Sequence, residues 1–187
     1  EYDFYDLKGI IETIAARLGV EGLSFAPCEH ATMQPGRTAG IWLGDDRIGT
    51  MGEVHPLVCE SFDLEERRVA LLELDLEVLL AAAHPVRPFA AISAMPPVKL
   101  DLALVADEAV PSDAIARAMR EVGGELLRNV QLFDVYRGAQ LGEDKKSLAY
   151  RLAFQATDRT LTSEEANAQR DAIVAKLEEM FGAEIRG

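Results

Sequence analysis

Cysteine, aromatic residues and long apolar runs are all scarce in this sequence. Two cysteines, Cys28 and Cys59, are too few for a disulfide framework in a chain of 187 residues, and this favours a reducing, cytoplasmic setting. No stretch of about 18 apolar residues occurs, so the sequence predicts no membrane-spanning helix. The first residues, EYDFYDLKG, are acidic and lack the basic and then apolar order of a signal peptide.

Positive charge is also in short supply. Lys and Arg number 19 against 32 Asp and Glu, and the net charge of −13 argues against indiscriminate nucleic-acid binding. The deficit is uneven, because residues 1–92 hold 7 basic and 16 acidic residues while residues 93–187 hold 12 and 16. Any polyanionic partner must therefore be met by a local patch and not by the overall charge.

Apolar residues make up 49% of the chain, which is enough for one or two packed domains. In the first half, helical spacing predicts a helix over residues 6–18, ended by Gly19. Short strands are predicted at residues 41–43 and 48–54, joined by a turn, and a helix is predicted over residues 56–63. A strand at residues 69–74 is expected to lead into a helix from Asp75.

Prolines cluster between residues 84 and 97, which hold four of the eight in the chain. Proline blocks helix interiors and central strands, so this segment is typical of a connector. We expect a first domain at residues 1–84, a connector at residues 85–92 and a second domain at residues 93–187.

The second half predicts the order β-α-β-β-α-β. Strands are expected at residues 98–105, 126–136, 147–155 and 184–186, and helices at residues 111–122 and 162–181. Ser112 is the expected cap of the first helix, and Thr162 with Glu165 fits a capping box on the second. This order is that of an α+β, ferredoxin-like fold, in which two helices cover one face of an antiparallel sheet and leave the other open.

Alternation along the strands assigns side chains to the two faces of this sheet. The helix-covered face is predicted to carry Leu100, Leu102, Leu104, Phe133, Val135, Leu148, Tyr150, Leu152 and Phe154. The open face is predicted to carry Lys99, Asp101, Ala103, Asp134, Tyr136, Ser147, Ala149, Arg151, Ala153 and Gln155. Alternation does not decide on which of the two faces Arg186 lies.

A flat floor of alanines flanked by polar and aromatic side chains suits two kinds of function. One is the reading of single-stranded RNA, whose unpaired bases stack on open sheets. The other is a regulatory or dimerisation module that binds a small ligand or a protein partner on the same face, and the pattern alone ranks this packing role first. Exposure of Arg151 beside Tyr136 would favour RNA, whereas a dimer interface would bury this floor with its charge paired.

Four motifs in order carry a resemblance to a known family: KLDLALV (99–105), LFDVYRG (132–138), KKSLAYRLAFQ (145–155) and DRTLTSEEAN (158–167). Together they resemble the C-terminal anticodon-binding domain of bacterial phenylalanyl-tRNA synthetase β subunits. In the first half, PGRTAGIWLG (35–44), IGTMGEVHP (48–56) and LLELDLEVLL (71–80) resemble the end of the inactive, class II synthetase-like domain of the same family. The chain departs from the usual family pattern at Gln34, Met95, Lys99 and Leu100.

The resemblance implies a fragment of a β subunit that recognises tRNA(Phe) but performs no chemistry itself. In such an (αβ)₂ heterotetramer the α subunit attaches phenylalanine to tRNA with ATP and Mg²⁺, and no cofactor is expected in this fragment. The family favours Asp134, Tyr136, Ser147, Ala149, Arg151 and Arg186 as anticodon contacts. With Lys99 and Asp101 from the first strand, these are the predicted RNA-binding residues; no catalytic or metal-binding residue is predicted.

Four other motifs have both a functional and a structural interpretation. Cys28, His30, His55 and Cys59 match no standard zinc spacing, and buried cysteines with a histidine beside a turn explain them better. The Gly49–Gly52 segment imitates the GxxG loop of a KH domain but lacks its flanking helices. Glu53 and His55 lack a nucleophile nearby. Lys145 and Lys146 fit either phosphate contact or a solvated hairpin tip.

Overall fold

The structure is a computed structural model that describes residues 2–64, 67–84, 86, 95–142 and 144–186. The chain divides into two compact units, residues 1–90 and 91–187, each with its own hydrophobic core. Apart from residue 86, the predicted connector at residues 85–92 lies outside the described residues, so its boundaries stay a prediction. Within the described ranges, no helix combines the length and the apolar character needed to span a bilayer.

The first unit is an antiparallel four-stranded sheet in the order β1-β2-β3-β4, with the first helix packed against β3 and β4. Its elements are α1 (Phe4–Leu18), β1 (Leu23–Pro27), β2 (Met33–Leu43), β3 (Asp46–Val54), α2 (Pro56–Glu60), β4 (Ala70–Leu74) and α3 (Leu76–Ala81). The predicted elements of this half occur in the predicted order, but the prediction missed β1, which lies between α1 and β2. The predicted strand at residues 41–43 is too short, since β2 begins at Met33.

Capping residues explain where these helices begin and end. The Asp3 carboxylate accepts hydrogen bonds from the amides of Tyr5 and Asp6, so α1 begins earlier than its apolar spacing indicates. Gly19, at φ +70°, ends α1 as predicted. His55 Nδ1 accepts from the Leu57 amide at 3.2 Å and caps α2, which ends at Glu60 and not at residue 63.

The predicted hairpin between β2 and β3 is confirmed. Leu43 pairs with Asp46 across a turn in which Gly44 has φ +59°. One pair further along, Trp42 lies opposite Arg47. A Cβ atom at Gly40 would lie 3.2 Å from Trp42 Nε1 and 3.3 Å from Arg47 Nε, so both side chains fold over this glycine.

The second unit has the predicted β-α-β-β-α-β order. Its elements are β5 (Val98–Asp107), α4 (Ser112–Gly123), β6 (Leu127–Tyr136), β7 (Lys145–Phe154), α5 (Ser163–Phe181) and β8 (Glu184–Ile185). The sheet is antiparallel in the order β6-β7-β5-β8, so β7 and β5 are central. This is the ferredoxin-like arrangement.

The core of the second unit lies between this sheet and the two helices. Its fully buried side chains come from β5, β7, α4 and α5 and include Leu104, Leu148, Leu152, Phe154, Ile115, Met119, Ile173 and Leu177. The capping box of Thr162 and Glu165 is confirmed, and Gly182 ends α5 at φ +61°. The prediction that Ser112 caps α4 is wrong: the cap position is Pro111, which has no side-chain donor or acceptor.

Candidate nucleic-acid interface

The pairing of β5 with β7 builds the centre of the open face in four rows. The pairs are Lys99 with Ala153, Asp101 with Arg151, Ala103 with Ala149, and Val105 with Ser147. The alternate residues Leu102, Leu104, Leu148, Leu152 and Phe154 are buried against the helices. The predicted division of β5 and β7 into two faces is therefore confirmed. Leu100 packs against the helix-covered core, so its departure from the family pattern does not alter the open face.

The edge strand β6 differs from the prediction because it contains a β-bulge. Leu132 pairs with Tyr150 and Asp134 pairs with Ala149, the next residue of β7, so Phe133 is an extra residue with no partner. A bulge resets the alternation of a strand. The prediction that Phe133 lies on the helix-covered face is wrong: Phe133 is 48% exposed and lies against Arg151. Val135 pairs with the buried Leu148, which places it on the helix-covered face as predicted, but it stays 40% exposed.

Arg151 is held by two side chains of the same unit. Its Nε and Nη2 atoms each donate to a different oxygen of Asp101, both at 2.8 Å. Its Cζ atom lies over the ring of Phe133, 5.0 Å from the ring centroid. The hydrogen bonds from Arg151 lower the pKa of Asp101, and Asp101 in turn raises the pKa of Arg151. The aromatic neighbour of Arg151 is thus Phe133 and not the predicted Tyr136.

Tyr136 has a different cationic neighbour, Arg186. The Arg186 Cζ atom lies 5.0 Å from the centroid of the Tyr136 ring. The backbone of Arg186 donates to the Ala103 carbonyl at 2.9 Å, beside β8, whereas Tyr136 pairs with Ser147 on β6. This contact therefore joins the two edges of the sheet across its central strands. Ser147, which pairs with Tyr136 on one side and Val105 on the other, is 4% exposed although it was predicted to offer its hydroxyl to RNA.

The ring of Tyr136 is also packed on the backbone of the loop that follows it. A Cβ atom at Gly138 would collide with the Tyr136 hydroxyl and ring. Since the φ of Gly138 is −163°, the backbone itself does not require glycine. Gly138 is thus needed for the close approach of the tyrosine.

The remaining predicted residues differ in how accessible they are. Lys99 is exposed in the first row of the face and Asp134 in the third, where Ala149 is partly exposed between Asp134 and Ala103. Gln155 follows the end of β7, and its side-chain amide donates a hydrogen bond to the Met95 backbone carbonyl. This side chain is therefore engaged at the rim of the face.

Comparison with known proteins accounts for both units. Residues 93–186 match the family model of the ferredoxin-fold anticodon binding domain. The chain belongs to this anticodon-binding family. Residues 1–76 match the model of the phenylalanyl tRNA synthetase beta chain CLM domain.

Curated relatives extend this similarity over the full length of the chain. It is 40% identical over 187 residues to the phenylalanine–tRNA ligase β subunit of Clostridium tetani, 44% over 187 residues to that of Moorella thermoacetica and 41% over 186 residues to that of Geobacillus kaustophilus. These alignments cover 99–100% of this chain but only 23–24% of each relative. The chain thus spans about a quarter of the length of the relatives it matches.

Sequence reasoning missed three exposed residues on the open face of the anticodon-binding unit. Phe133 is the unpaired residue of the bulge, Gln131 pairs with Arg151, and Asn129 pairs with Ala153. A signal was present in the sequence, because apolar residues occupy even positions at Val130 and Leu132 but odd positions at Phe133 and Val135. A change of phase within one strand indicates a bulge.

Lys146 takes neither of its predicted roles. It is 7% exposed, and its Nζ atom donates to the Glu108 carbonyl oxygen at 2.7 Å. The Glu108 carboxylate also accepts two hydrogen bonds from Arg137, at 2.7 and 3.1 Å, and these lower its pKa. These contacts tie the start of β7 to the end of β5 and leave Lys146 unavailable to phosphate.

The motifs of the first unit that could indicate a catalytic site or a KH loop have structural explanations. Glu53 is 5% exposed, with Arg37 at 2.5 Å and Arg68 at 3.6 Å, so this carboxylate is enclosed by ion pairs. Gly52 lies in β3, where a Cβ atom would be 2.7 Å from the Arg37 carbonyl, so glycine permits close strand packing and forms no KH loop. Across the described ranges, no three His, Cys, Asp or Glu side chains group as metal ligands.

Proposed function

We propose that the open face of residues 93–186 binds the unpaired anticodon loop of tRNA(Phe). The observation that carries the proposal is the pair of arginine–aromatic contacts on this face, Arg151 with Phe133 and Arg186 with Tyr136, in a unit of the anticodon-binding family. Aromatic rings and guanidinium planes are the surfaces on which proteins stack unpaired bases.

In this proposal the chain works within the β subunit of a phenylalanine–tRNA ligase, as its relatives' names suggest. Its contribution is recognition and not chemistry. The partner is the ligase α subunit in an (αβ)₂ assembly, which uses ATP and Mg²⁺ to charge tRNA in the cytoplasm. The first unit, similar to a β-chain CLM domain, supplies scaffold and subunit contacts.

The open face is less acidic than the chain as a whole. The chain as a whole is acidic, at −13, so RNA is not attracted to its entire surface. The open face carries three exposed cations, Lys99, Arg151 and Arg186, and three exposed carboxylates, Asp101, Asp134 and Glu184, around a floor of small side chains. Such a surface favours a short single-stranded segment over a duplex, whose recognition relies on backbone contacts across grooves.

The proposal is tested by titrating the ¹⁵N-labelled 187-residue chain with the tRNA(Phe) anticodon stem-loop and following amide shifts by NMR. A stem-loop with a scrambled anticodon, at the same salt concentration, is the control. We expect shifts confined to the strands that hold Tyr136, Ala149 and Arg151, and larger for the correct anticodon. Absence of shifts with RNA, together with a change on the same face that depends on protein concentration, would support a dimerisation surface instead.

A further inference from the structure

We propose that Arg151 is a preassembled stacking platform for an unpaired nucleobase, and that Phe133 and Asp101 are the residues that position it. Resting on the function proposed above, this inference assigns one part of the open face to one part of the RNA. It gives Phe133 a role in binding, and it changes the role of Asp101 from an RNA contact to an internal support.

The geometry leaves one side of the guanidinium available. Asp101 holds the guanidinium along an edge, through two hydrogen bonds of 2.8 Å from Nε and Nη2. Phe133 lies beneath it, with 5.0 Å between Cζ and the ring centroid. The Arg151 side chain is still 47% exposed. A planar cation fixed along one edge and on one face offers its other face to a flat ligand, and little rotamer freedom remains to be lost on binding.

The bulge in β6 lets Phe133 share the open face with Asp134 and Tyr136. A regular strand after Leu132 would turn its successor towards the open face and the next residue towards the helices, whereas here Phe133 and Asp134 both fall between two core-facing positions. Phe133, which has no partner in the ladder, is half exposed and lies under Arg151. Bulges that re-aim side chains in this way are over-represented beside binding sites.

The charge of the platform suits a base better than a phosphate. Two of the three guanidinium nitrogens of Arg151, Nε and Nη2, donate to Asp101, so a phosphate arriving at that edge would meet a carboxylate. A neutral base avoids this repulsion and gains from stacking on the cation. The partly exposed Ala103 and Ala149 in the next row leave room for a ring to lie over the sheet.

Replacing Asp101 distinguishes an electrostatic role of this residue from a positioning role, because the two predict opposite changes in RNA affinity. Asp101→Asn removes a negative charge from a surface that binds RNA, so electrostatics alone predicts tighter binding. If Asp101 positions Arg151, the same change weakens binding by about tenfold, the usual loss for one stacked base. Glu121→Gln removes one charge from an exposed position on α4 and is the matched control, expected to leave affinity unchanged or slightly raised.

Two further variants separate stacking from charge. Arg151→Lys keeps the positive charge but loses the planar guanidinium and its paired hydrogen bonds to Asp101. Phe133→Leu keeps the apolar contact but loses the aromatic ring. We expect both to weaken binding of the tRNA(Phe) anticodon stem-loop by about tenfold, while the slope of log K against log salt stays that of the parent chain. A stem-loop with 2-aminopurine at a loop position reports stacking directly, and the quenching of its fluorescence should fall in each variant.

The outcomes separate the two proposals. If the parent chain binds the stem-loop but Asp101→Asn binds as tightly or more tightly, or Arg151→Lys retains full affinity, the platform is refuted and the RNA-binding function remains. If the parent chain shows no RNA-dependent shifts on the open face, both proposals fall. Circular dichroism verifies that each variant is folded, which is expected because all three positions are exposed.

Discussion

At the scale of single residues, the ion pair between Asp101 and Arg151 has a measurable signature. The hydrogen bonds from Arg151 place the pKa of Asp101 below its ordinary value of 3.8. Because the folded-state pKa is lowered, the stabilising contribution of the pair is present above the ordinary value. It is lost as the pH falls through the lowered pKa.

We therefore expect Arg151→Ala to raise the pKa of Asp101 towards 3.8. A titration of side-chain carboxyl ¹³C shifts by NMR measures this. Glu165, whose pKa is lowered chiefly by its hydrogen bond with the Thr162 backbone, is an internal control that should not move. An Asp101 pKa that is equal in the parent chain and in Arg151→Ala would mean that the two hydrogen bonds between these side chains do not persist in solution.

Gly138 gives a second residue-scale prediction, since it positions Tyr136 only through its lack of a side chain. Gly138→Ala is compatible with the extended backbone at φ −163° but collides with the tyrosine ring. We expect the ring to leave Arg186, with changed Tyr136 ring proton shifts and weaker binding of the stem-loop. Ala139→Ser, at the next and exposed position, is the control; unaltered Tyr136 shifts in Gly138→Ala would contradict the packing described.

At the scale of elements, the start of α5 has a removable cap. Thr162 accepts a hydrogen bond from the Glu165 amide at 3.2 Å, and Glu165 accepts one from the Thr162 amide at 2.9 Å. Thr162→Ala should lower the free energy of unfolding by about 1 kcal/mol, as loss of an N-cap commonly does. Urea unfolding followed by circular dichroism measures this. Thr162→Ser keeps the hydroxyl and should stay near the parent value.

The elements also explain what sequence could and could not predict. Local signals were sufficient for the order of strands and helices: the capping box of α5, the glycine after it and the strict alternation along β5 and β7 all lie within a few residues. The change of apolar phase after Leu132 indicates a bulge, but which residue of β6 is left unpaired required the register between β6 and β7. The contact between Tyr136 and Arg186 was out of reach because it joins two edges of a sheet whose last strand spans only Glu184–Ile185.

At the scale of the whole molecule, the acidic charge limits how RNA binding can depend on salt. The open face has three exposed cations, and single-stranded nucleic acid contributes a slope of about −0.7 per neutralised phosphate. A plot of log K against log salt should therefore be no steeper than about −2. A steeper slope would mean that cations away from this face also contact the RNA.

The position of the only tryptophan in the sequence, Trp42, decides what an optical experiment on this protein can detect. Trp42 lies in β2 of the first unit, folded over Gly40. A melting curve recorded through intrinsic tryptophan emission would consequently report directly on the surroundings of Trp42 in the first unit, since the sequence places no tryptophan in the anticodon-binding unit. Phe133→Trp would give that unit a tryptophan of its own, at the position that lies under the Arg151 guanidinium.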